Sequence, residues 1–162
     1  MKIALIADTH GEQQRIQTAL DRFRREAVDT LFHAGDVADS ATLRLFAGFD
    51  VWIARGNMDR DPGLPAAVRE LFGAGRLVVE HILSVDGVKI AVVHGDNSAR
   101  LEALIRSGEY RYVVHGHTHA RKDERVGLTR VINPGALSHP RGFAATCAIL
   151  DLDADRLEWI EV

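Results

Sequence analysis

Short apolar runs alternate with amphipathic stretches along the chain, a pattern typical of a layered α/β domain. KIALIAD predicts a buried first strand, and residues 12–25 predict a helix because apolar residues recur there at helical spacing. TLFHAGD and DVWIARGN predict the next two strands, with a short helix over residues 41–46 between them. GLPAAVRELFG predicts another helix, ended by glycine. The first half of the chain therefore resembles a series of parallel βαβ units.

The second half of the chain has a hairpin-rich pattern. RLVVEHILSVDGVKIAVVHGD contains two apolar runs joined at Asp86-Gly87, which predicts a β-hairpin. A helix is predicted over residues 98–107, followed by strands in YRYVVHG, LTRVINPG, AATCAILDL and DRLEWIEV. Together the two halves predict two sheets packed face to face, with helices outside.

Composition narrows the class of protein. The chain has 162 residues, the length of one domain, and its 46% hydrophobic and 27% charged residues are ordinary for a globular protein. Its apolar runs are far shorter than the roughly 20 residues that span a bilayer, and Asp8 interrupts any secretory signal, so we expect a cytoplasmic protein. A net charge of −3 argues against a broad nucleic-acid surface, and Cys147 is expected to be a buried thiol.

Polar residues follow nearly every predicted strand. The clusters are Asp8-Thr9-His10, Gly35-Asp36, Gly56-Asn57, His94-Gly95-Asp96 and His115-Gly116-His117-Thr118-His119. Ligands bind at the carboxyl ends of strands in α/β sheets, so these clusters are expected to converge on one cleft.

The residue types in these clusters predict a metal site. In an extended segment residues i and i+2 face the same side, so Asp8 and His10 are expected to form one pair, and His117 and His119 another. His115 would face the same way, and spacing alone does not say which two of these three histidines bind. Imidazole nitrogens mixed with carboxylate or amide oxygens, without thiolate, favour manganese, iron or zinc over magnesium or calcium. Manganese is the first expectation, with zinc, iron or nickel as alternatives.

The ordered motifs D-x-H, G-D, G-N, H-G and G-H-T-H, with N-P-G after them, resemble the calcineurin-like metallophosphoesterase superfamily, in particular its small bacterial and archaeal phosphodiesterases. The resemblance implies a four-layer αββα sandwich of two mixed β-sheets flanked by helices, with two metal ions at one edge of the sheets. It covers the whole chain, and we expect residues 1–162 to form a single domain without a separate cap.

The resemblance also implies a role for each motif residue. One metal ion would be held by Asp8, His10, Asp36 and His119, and the other by Asp36, Asn57, His94 and His117. Asp36 would bridge the two ions, and Asp36, Asn57 and His94 are the expected catalytic residues.

Charge and metal chemistry fit this assignment. Two divalent ions and two carboxylates leave a positive site for phosphate, and a water between the ions would lose a proton near neutral pH. The expected enzyme is a phosphodiesterase in which metal-bound hydroxide attacks in one in-line step. Its substrate would be a small phosphate ester, with a nucleotide as one candidate, and a homo-oligomer is left open for this chain.

One position departs from the wider superfamily. Histidine often follows the asparagine of the G-N motif as a proton donor, and here that position is Met58. We therefore expect esters with acidic leaving groups to react faster than alkyl esters. Asp59 and Asp96 are the nearest replacement acids, but a turn or supporting role is favoured for both.

Several other histidines allow two interpretations. His33 is expected either to orient a ligand or to be a hydrogen-bonded core residue, and His115 is expected to support the ligands from behind. His81 and His139 lie outside the motifs and are expected on the surface. Asn133-Pro134-Gly135 is expected to support the metal loop, whereas Arg141 is expected to be a solvated loop residue.

Other functions remain as alternatives. A catalytically inactive, protein-binding scaffold of the same fold, like the retromer subunit, would carry damaged ligand positions, whereas all seven are intact here. The residues after each H-x-H do not match a metallo-β-lactamase, and an amidohydrolase would place H-x-H at the first strand. A Rossmann-type nucleotide site would need G-x-G-x-x-G after that strand.

Overall fold

Two mixed β-sheets form the centre of the protein in this computed structural model, which describes residues 1–141 and 144–162. The strands described are β1 (Lys2–Ile6), β2 (Thr30–His33), β3 (Asp50–Ala54), β4 (Leu77–Val78), β5 (Glu80–Val85), β6 (Val88–Val93), β7 (Tyr112–Val114), β8 (Lys122–Val126), β9 (Thr129–Asn133), β10 (Thr146–Asp151) and β11 (Arg156–Glu161). One sheet has the order β11-β10-β1-β2-β3-β4 and the other β5-β6-β7-β9-β8. In the six-stranded sheet the pairs from β1 to β4 are parallel, and β10 pairs antiparallel with both β1 and β11. In the five-stranded sheet β7 pairs parallel with β6 and β9, and the outer pairs β5-β6 and β8-β9 are antiparallel.

Helices cover the outer faces of both sheets. On the six-stranded sheet lie α1 (Gln13–Arg25), a 3₁₀ helix (Thr42–Phe46) and α2 (Leu64–Phe72), which share one apolar cluster with the strands. On the five-stranded sheet lies α3 (Ser98–Ser107), whose Leu104 packs against β6 and β7. These layers confirm the predicted αββα sandwich.

The faces between the sheets form a second apolar cluster. Side chains such as Leu5 and Phe32 from one sheet meet Ile90, Val92 and Val114 from the other, and all five are fully buried. Strands buried on both faces have continuous apolar sequences, which explains why the short runs predicted them correctly. The four apolar residues of α1, Ile16, Ala19, Leu20 and Phe23, are also fully buried, as the helical spacing predicted.

The strands differ from the predicted ones at two places. RLVVEHILSV does not form one strand, because the chain crosses at Val79 from β4 in one sheet to β5 in the other. No strand was predicted at β8, where KDERV pairs with β9 at a sheet edge and every residue is exposed. Such an edge strand has no buried face, so no alternation of apolar and polar residues indicates it.

His81 and Cys147 are both buried in the structure. His81 is buried rather than on the surface, because its Nε2 bonds the carbonyl of Ile53 at 3.0 Å beneath the edge of Trp52. Cys147 is a buried free thiol, as expected, and burial raises its pKa. Among the residues described, no helix is both long and apolar enough to cross a membrane.

Candidate metal centre

The predicted clusters meet at the edge where β1, β2, β3, β6 and β7 end. Backbone bonds join the loops after β1 and β2, from the Asp8 N–H to the Gly35 carbonyl (2.9 Å) and from the His10 N–H to the Asp36 carbonyl (3.0 Å). The segment after β7 is attached through the His117 N–H, which donates to Asp8 Oδ2 at 3.0 Å. Residues distant in sequence are therefore held together by the ends of neighbouring strands.

The extended geometry expected for D-x-H and H-T-H was wrong. Asp8, His10, His117 and His119 have positive φ angles of 50°, 40°, 65° and 58°, and Asp36 has 59°. Left-handed backbone is unusual for residues with a side chain and costs about 1–3 kcal/mol at each position. The side chains converge because the strands end in tight left-handed turns, and not because alternate residues share a strand face.

Glycine before a candidate ligand permits close approach of the loops. A Cβ on Gly56 would lie 2.1 Å from Asp36 Oδ1 and 2.5 Å from the Asp36 nitrogen. No side chain fits at that separation. Position 56 must therefore be glycine, because the Asp36 carboxylate occupies the space that a side chain would need.

The first group of candidate ligands is Asp8, His10 and His119, whose ligand atoms all lie within 4.8 Å of one another. His119 Nδ1 donates to the His139 carbonyl at 3.0 Å, so that in the neutral tautomer Nε2 is the nitrogen with a free lone pair, and it lies 3.4 Å from Asp8 Oδ1. His10 Nε2 is buried and has no hydrogen-bond partner among the described residues. This set presents free imidazole nitrogens toward a carboxylate.

The second group centres on His94, with Asp36 and Asp8 within the same 4.8 Å limit. His94 Nδ1 donates to the Ala34 carbonyl at 2.9 Å, while Nε2 lies 3.1 Å from Asn57 Oδ1 and 3.4 Å from Asp36 Oδ2. All three neighbours are acceptors. Such an arrangement requires either a doubly protonated imidazole or a cation between Nε2 and the oxygens.

Asp36 lies between the two groups. Its Oδ2 is 3.6 Å from His10 Nε2 and 3.4 Å from His94 Nε2, and its Oδ1 accepts the Met58 N–H at 2.8 Å. The position of Oδ2 suits the bridging role that the resemblance implies. His117 packs beside His94, with ring centroids 5.1 Å apart, and His117 and Asn57 are the exposed members of the candidate ligand set.

The pKa values of this site reflect burial and charge pairing. Burial raises the pKa of Asp8 to about 7, despite the nearby His94 charge, and lowers the pKa of His10. Burial opposes the charge on His94, but the bonds to Asp36 and to the Ala34 carbonyl outweigh it and raise its pKa to about 9. Without metal, the protein therefore holds protons where cations would bind.

Asp59 fastens the G-D loop to the G-N loop. Its buried carboxylate accepts the N–H groups of Gly56 (2.7 Å) and Asp36 (3.1 Å) on Oδ2 and that of Ala38 (2.9 Å) on Oδ1. An acceptor of three backbone bonds is a loop carboxylate, which is the role favoured from the sequence. Asp96, by contrast, is exposed and lies outside both groups of candidate ligands.

His33 supports the centre from within the core. It is fully buried, its Nδ1 accepts the Gly35 N–H at 3.1 Å, and its Nε2 therefore donates to Thr9 Oγ1 at 3.0 Å. Burial lowers its pKa to about 3, so the ring is neutral. His33 is therefore a hydrogen-bonded core histidine, and through Thr9 it holds the loop between the candidate ligands Asp8 and His10.

His115 and Asn133 lie behind the G-H-T-H segment. His115 is buried, bonds the Gly116 carbonyl through Nδ1 at 3.1 Å, and has a pKa lowered by burial to about 4. Asn133 Nδ2 donates to the Gly116 carbonyl (2.9 Å) and to Thr118 Oγ1 (3.0 Å). The N-P-G turn therefore supports this segment, as expected.

The side chains present fit divalent metal ions. The donor set has imidazole nitrogens, two carboxylates and an amide oxygen, the hydrogen bonds of His94 and His119 direct their Nε2 atoms inward, and His10 Nε2 is buried without a partner. Ligating histidines commonly donate their other N–H to a carbonyl in this way. The fit rests on the protein atoms alone.

Comparison with known proteins gives the family. A model of the calcineurin-like phosphoesterase superfamily domain matches residues 1–155. The chain belongs to the calcineurin-like phosphoesterase superfamily. A phosphodiesterase of Methanocaldococcus jannaschii, MJ0936, is 31% identical over 94% of this chain and 94% of its own length. A solved structure of a novel archaeal phosphodiesterase has a TM-score of 0.90 and 30% identity, with full coverage of both chains.

A more distant solved structure shows a likeness in fold alone. A single mutant of Vps29 from Entamoeba histolytica has a TM-score of 0.72 and 18% identity, and covers 100% of this chain and 99% of its own. At that identity the likeness carries no argument about function. The family resemblance drawn from the motifs is confirmed by the family model and by the phosphodiesterase relatives.

Proposed function

We propose that this calcineurin-like protein is a phosphodiesterase that hydrolyses small phosphate esters, nucleotides included, at a centre of two divalent metal ions. The proposed ligands are the seven predicted from the motifs: Asp8, His10, Asp36, Asn57, His94, His117 and His119. The phosphodiesterase relatives support the reaction, and the mixed nitrogen and oxygen donors support manganese as the first metal to test.

The arrangement around His94 is the observation that carries the proposal. Its Nε2 faces two oxygen acceptors, and its Nδ1 proton is already bonded to a third. A neutral imidazole cannot satisfy these contacts, whereas a cation between Nε2 and the two oxygens would satisfy all of them. The free Nε2 of His10 gives the same indication on the other side of Asp36.

Each ligand has a definable task in the proposed reaction. When bound, two divalent ions would polarise phosphate oxygens and bring the pKa of a water between them from about 15.7 toward 7. Asp8 and Asp36 offset only part of the added charge, because the other ligands are neutral, so the centre attracts an anionic phosphate. The Ala34 and His139 carbonyls keep His94 and His119 oriented for ligation.

The surroundings of the centre favour an open cleft. Residues 55–63, between β3 and α2, form the neighbouring loop, which is too short to build a cap, and we propose that residues 1–162 act as one domain. The side chain of Met58, a residue of this loop, is exposed, and its backbone N–H donates to Asp36 Oδ1. Substrates of different shapes would have access to the metals.

Metal reconstitution tests the proposal. Metal-stripped protein is supplied with manganese, zinc, iron, nickel or magnesium and assayed against bis-(p-nitrophenyl) phosphate, p-nitrophenyl phosphate and 2′,3′-cyclic nucleotides. We expect manganese to restore diester hydrolysis in the native protein and Asp36→Asn to abolish it. Asp61→Asn is the control, because that carboxylate caps the Ser40 and Gly63 N–H groups in the adjoining loop and contacts no proposed ligand.

The scaffold alternative predicts a different result. If no metal restores hydrolysis of any ester and Asp36→Asn leaves metal content unchanged, the phosphodiesterase proposal is wrong. A non-catalytic protein-binding role would then be the better hypothesis for this fold. The intact ligand set argues against that outcome.

A further inference from the structure

The segment of residues 136–141 closes one side of the centre, although it contributes none of the seven proposed ligands. The Ser138 N–H donates to the Asp8 carbonyl (3.0 Å), and the Arg141 N–H donates to the His119 carbonyl (3.0 Å). The His139 carbonyl accepts His119 Nδ1, and Arg15 in α1 donates to the Leu137 carbonyl at 2.6 Å. The segment is fixed to the loops of two candidate ligands.

His139 presents an exposed imidazole from this segment. It has a positive φ of 48°, a conformation that is costly for histidine and that occurs often at functional sites. Its ring is also held, because the buried Ser138 Oγ lies 2.6 Å from His139 Nδ1. A solvated histidine without a function would require neither the strained backbone nor the fixed ring.

His139 adjoins the first group of ligands. Its carbonyl accepts the Nδ1 proton of His119 at 3.0 Å, and the N–H of the preceding Ser138 donates to the Asp8 carbonyl at 3.0 Å. When Ser138 Oγ donates to Nδ1, the neutral ring carries its proton on Nε2 and can donate that N–H outward. The chain thus offers a donor on the His119 side of the centre, while Met58 offers no side-chain donor on the Asn57 side.

We propose that His139 contacts the substrate and donates a hydrogen bond from Nε2 to the leaving-group oxygen of the phosphate ester. This inference rests on the proposed phosphodiesterase function and deepens it. The side chain of His139 would supply a contact that Met58 cannot make. Ser138 would be a positioning residue, because it acts only through the ring of His139.

His139→Asn and His139→Gly are the variants that test the contact. Asparagine and glycine both tolerate positive φ, so each preserves the backbone carbonyl that orients His119. Alanine would confound the result by adding strain. Arg141→Ala is the matched control, since it removes an exposed side chain of the same segment while its backbone bond to His119 remains.

The first measurement is kcat/KM at one fixed pH for aryl and alkyl methyl phosphodiesters of increasing leaving-group pKa. We expect the His139 variants to lose little with p-nitrophenolate and at least tenfold with alkoxide leaving groups, since a donor matters most for a basic oxygen. Ser138→Ala should lie between these variants and the native protein. A purely structural role would lower all rates equally, and that result would overturn the proposal.

Two further measurements do not depend on turnover. Manganese content should be unchanged in His139→Asn, and calorimetry should show about tenfold weaker binding of inorganic phosphate, the effect of losing one hydrogen bond of ordinary strength. Unchanged phosphate affinity together with an unchanged leaving-group profile would refute the contact. If the native protein hydrolyses no ester, the phosphodiesterase proposal fails, and the phosphate affinities alone then decide whether His139 contacts an anion.

Discussion

Replacement of Asp59 by asparagine should weaken both the fold and metal binding, although Asp59 is not a proposed ligand. Its carboxylate accepts three backbone N–H groups, including those of Gly56 and Asp36. Asparagine offers one oxygen where aspartate offers two. The asparagine NH₂ group would therefore face the Ala38 N–H if it replaces Oδ1, or the Gly56 and Asp36 N–H groups if it replaces Oδ2.

The magnitude follows from these bonds. A hydrogen bond to a charged acceptor contributes about 1.5–3 kcal/mol, and a buried donor left without an acceptor costs about 1–3 kcal/mol. Relief of the buried charge offsets part of the loss. We expect the free energy of unfolding to fall by about 3 kcal/mol, which lowers Tm by about 6–12 °C in a domain of this length.

Urea denaturation of metal-free Asp59→Asn measures the stability, and calorimetric titration with manganese measures the affinity. Affinity should fall at least tenfold, because Asp36 and Asn57 lie on the two loops that Asp59 joins. Asp61→Asn is the matched control and should retain native affinity. A stability loss below 1 kcal/mol, or equal affinity losses in the two variants, would refute this account of Asp59.

Three other changes have predictable results. Because His94 has its pKa raised to about 9, its stabilising charge in the metal-free protein is complete below about pH 6.5 and is lost as the pH rises through 9. Metal binding at pH 7.5 should consequently release about one proton. The proton release is measured by calorimetry, because the heat of metal binding then varies with the ionisation enthalpy of the buffer. A binding heat that is the same in all buffers would contradict this. Gly56→Ala should lower stability by about 3 kcal/mol and remove metal binding, because its Cβ overlaps Asp36 Oδ1; native-like manganese content would disprove the overlap. Asp155 accepts bonds from Tyr112 and three arginines, among them Arg130 at 2.7 Å, and joins the sheets at the edge opposite the centre. Those bonds lower the pKa of Asp155, so its contribution of about 2 kcal/mol to the free energy of unfolding is present above about pH 4 and is lost in acid. Asp155→Asn should lose this contribution at neutral pH and keep its metal affinity. A variant as stable as the native protein would contradict this.

The sequence predicted most elements of the fold because burial leaves a local pattern. Strands inside the two sheets are apolar throughout, and α1 places apolar residues on one face, so short windows of sequence were sufficient. The edge strand β8 has no buried face, and the crossing from β4 to β5 is decided by which sheet each segment joins. His81 likewise occurs in a strand whose other residues are partly exposed, and only the packing beneath Trp52 shows that it is buried.

The candidate metal centre divides in the same way. The sequence by itself determined which donor types follow each strand, and the order of the motifs indicated the family. Only the tertiary structure decided that left-handed turns direct these donors inward, that Asp59 joins two loops, and that His139 adjoins His119. Those features depend on atoms brought together from positions far apart in the chain, and the spacing of residues along a sequence carries no measure of such contacts.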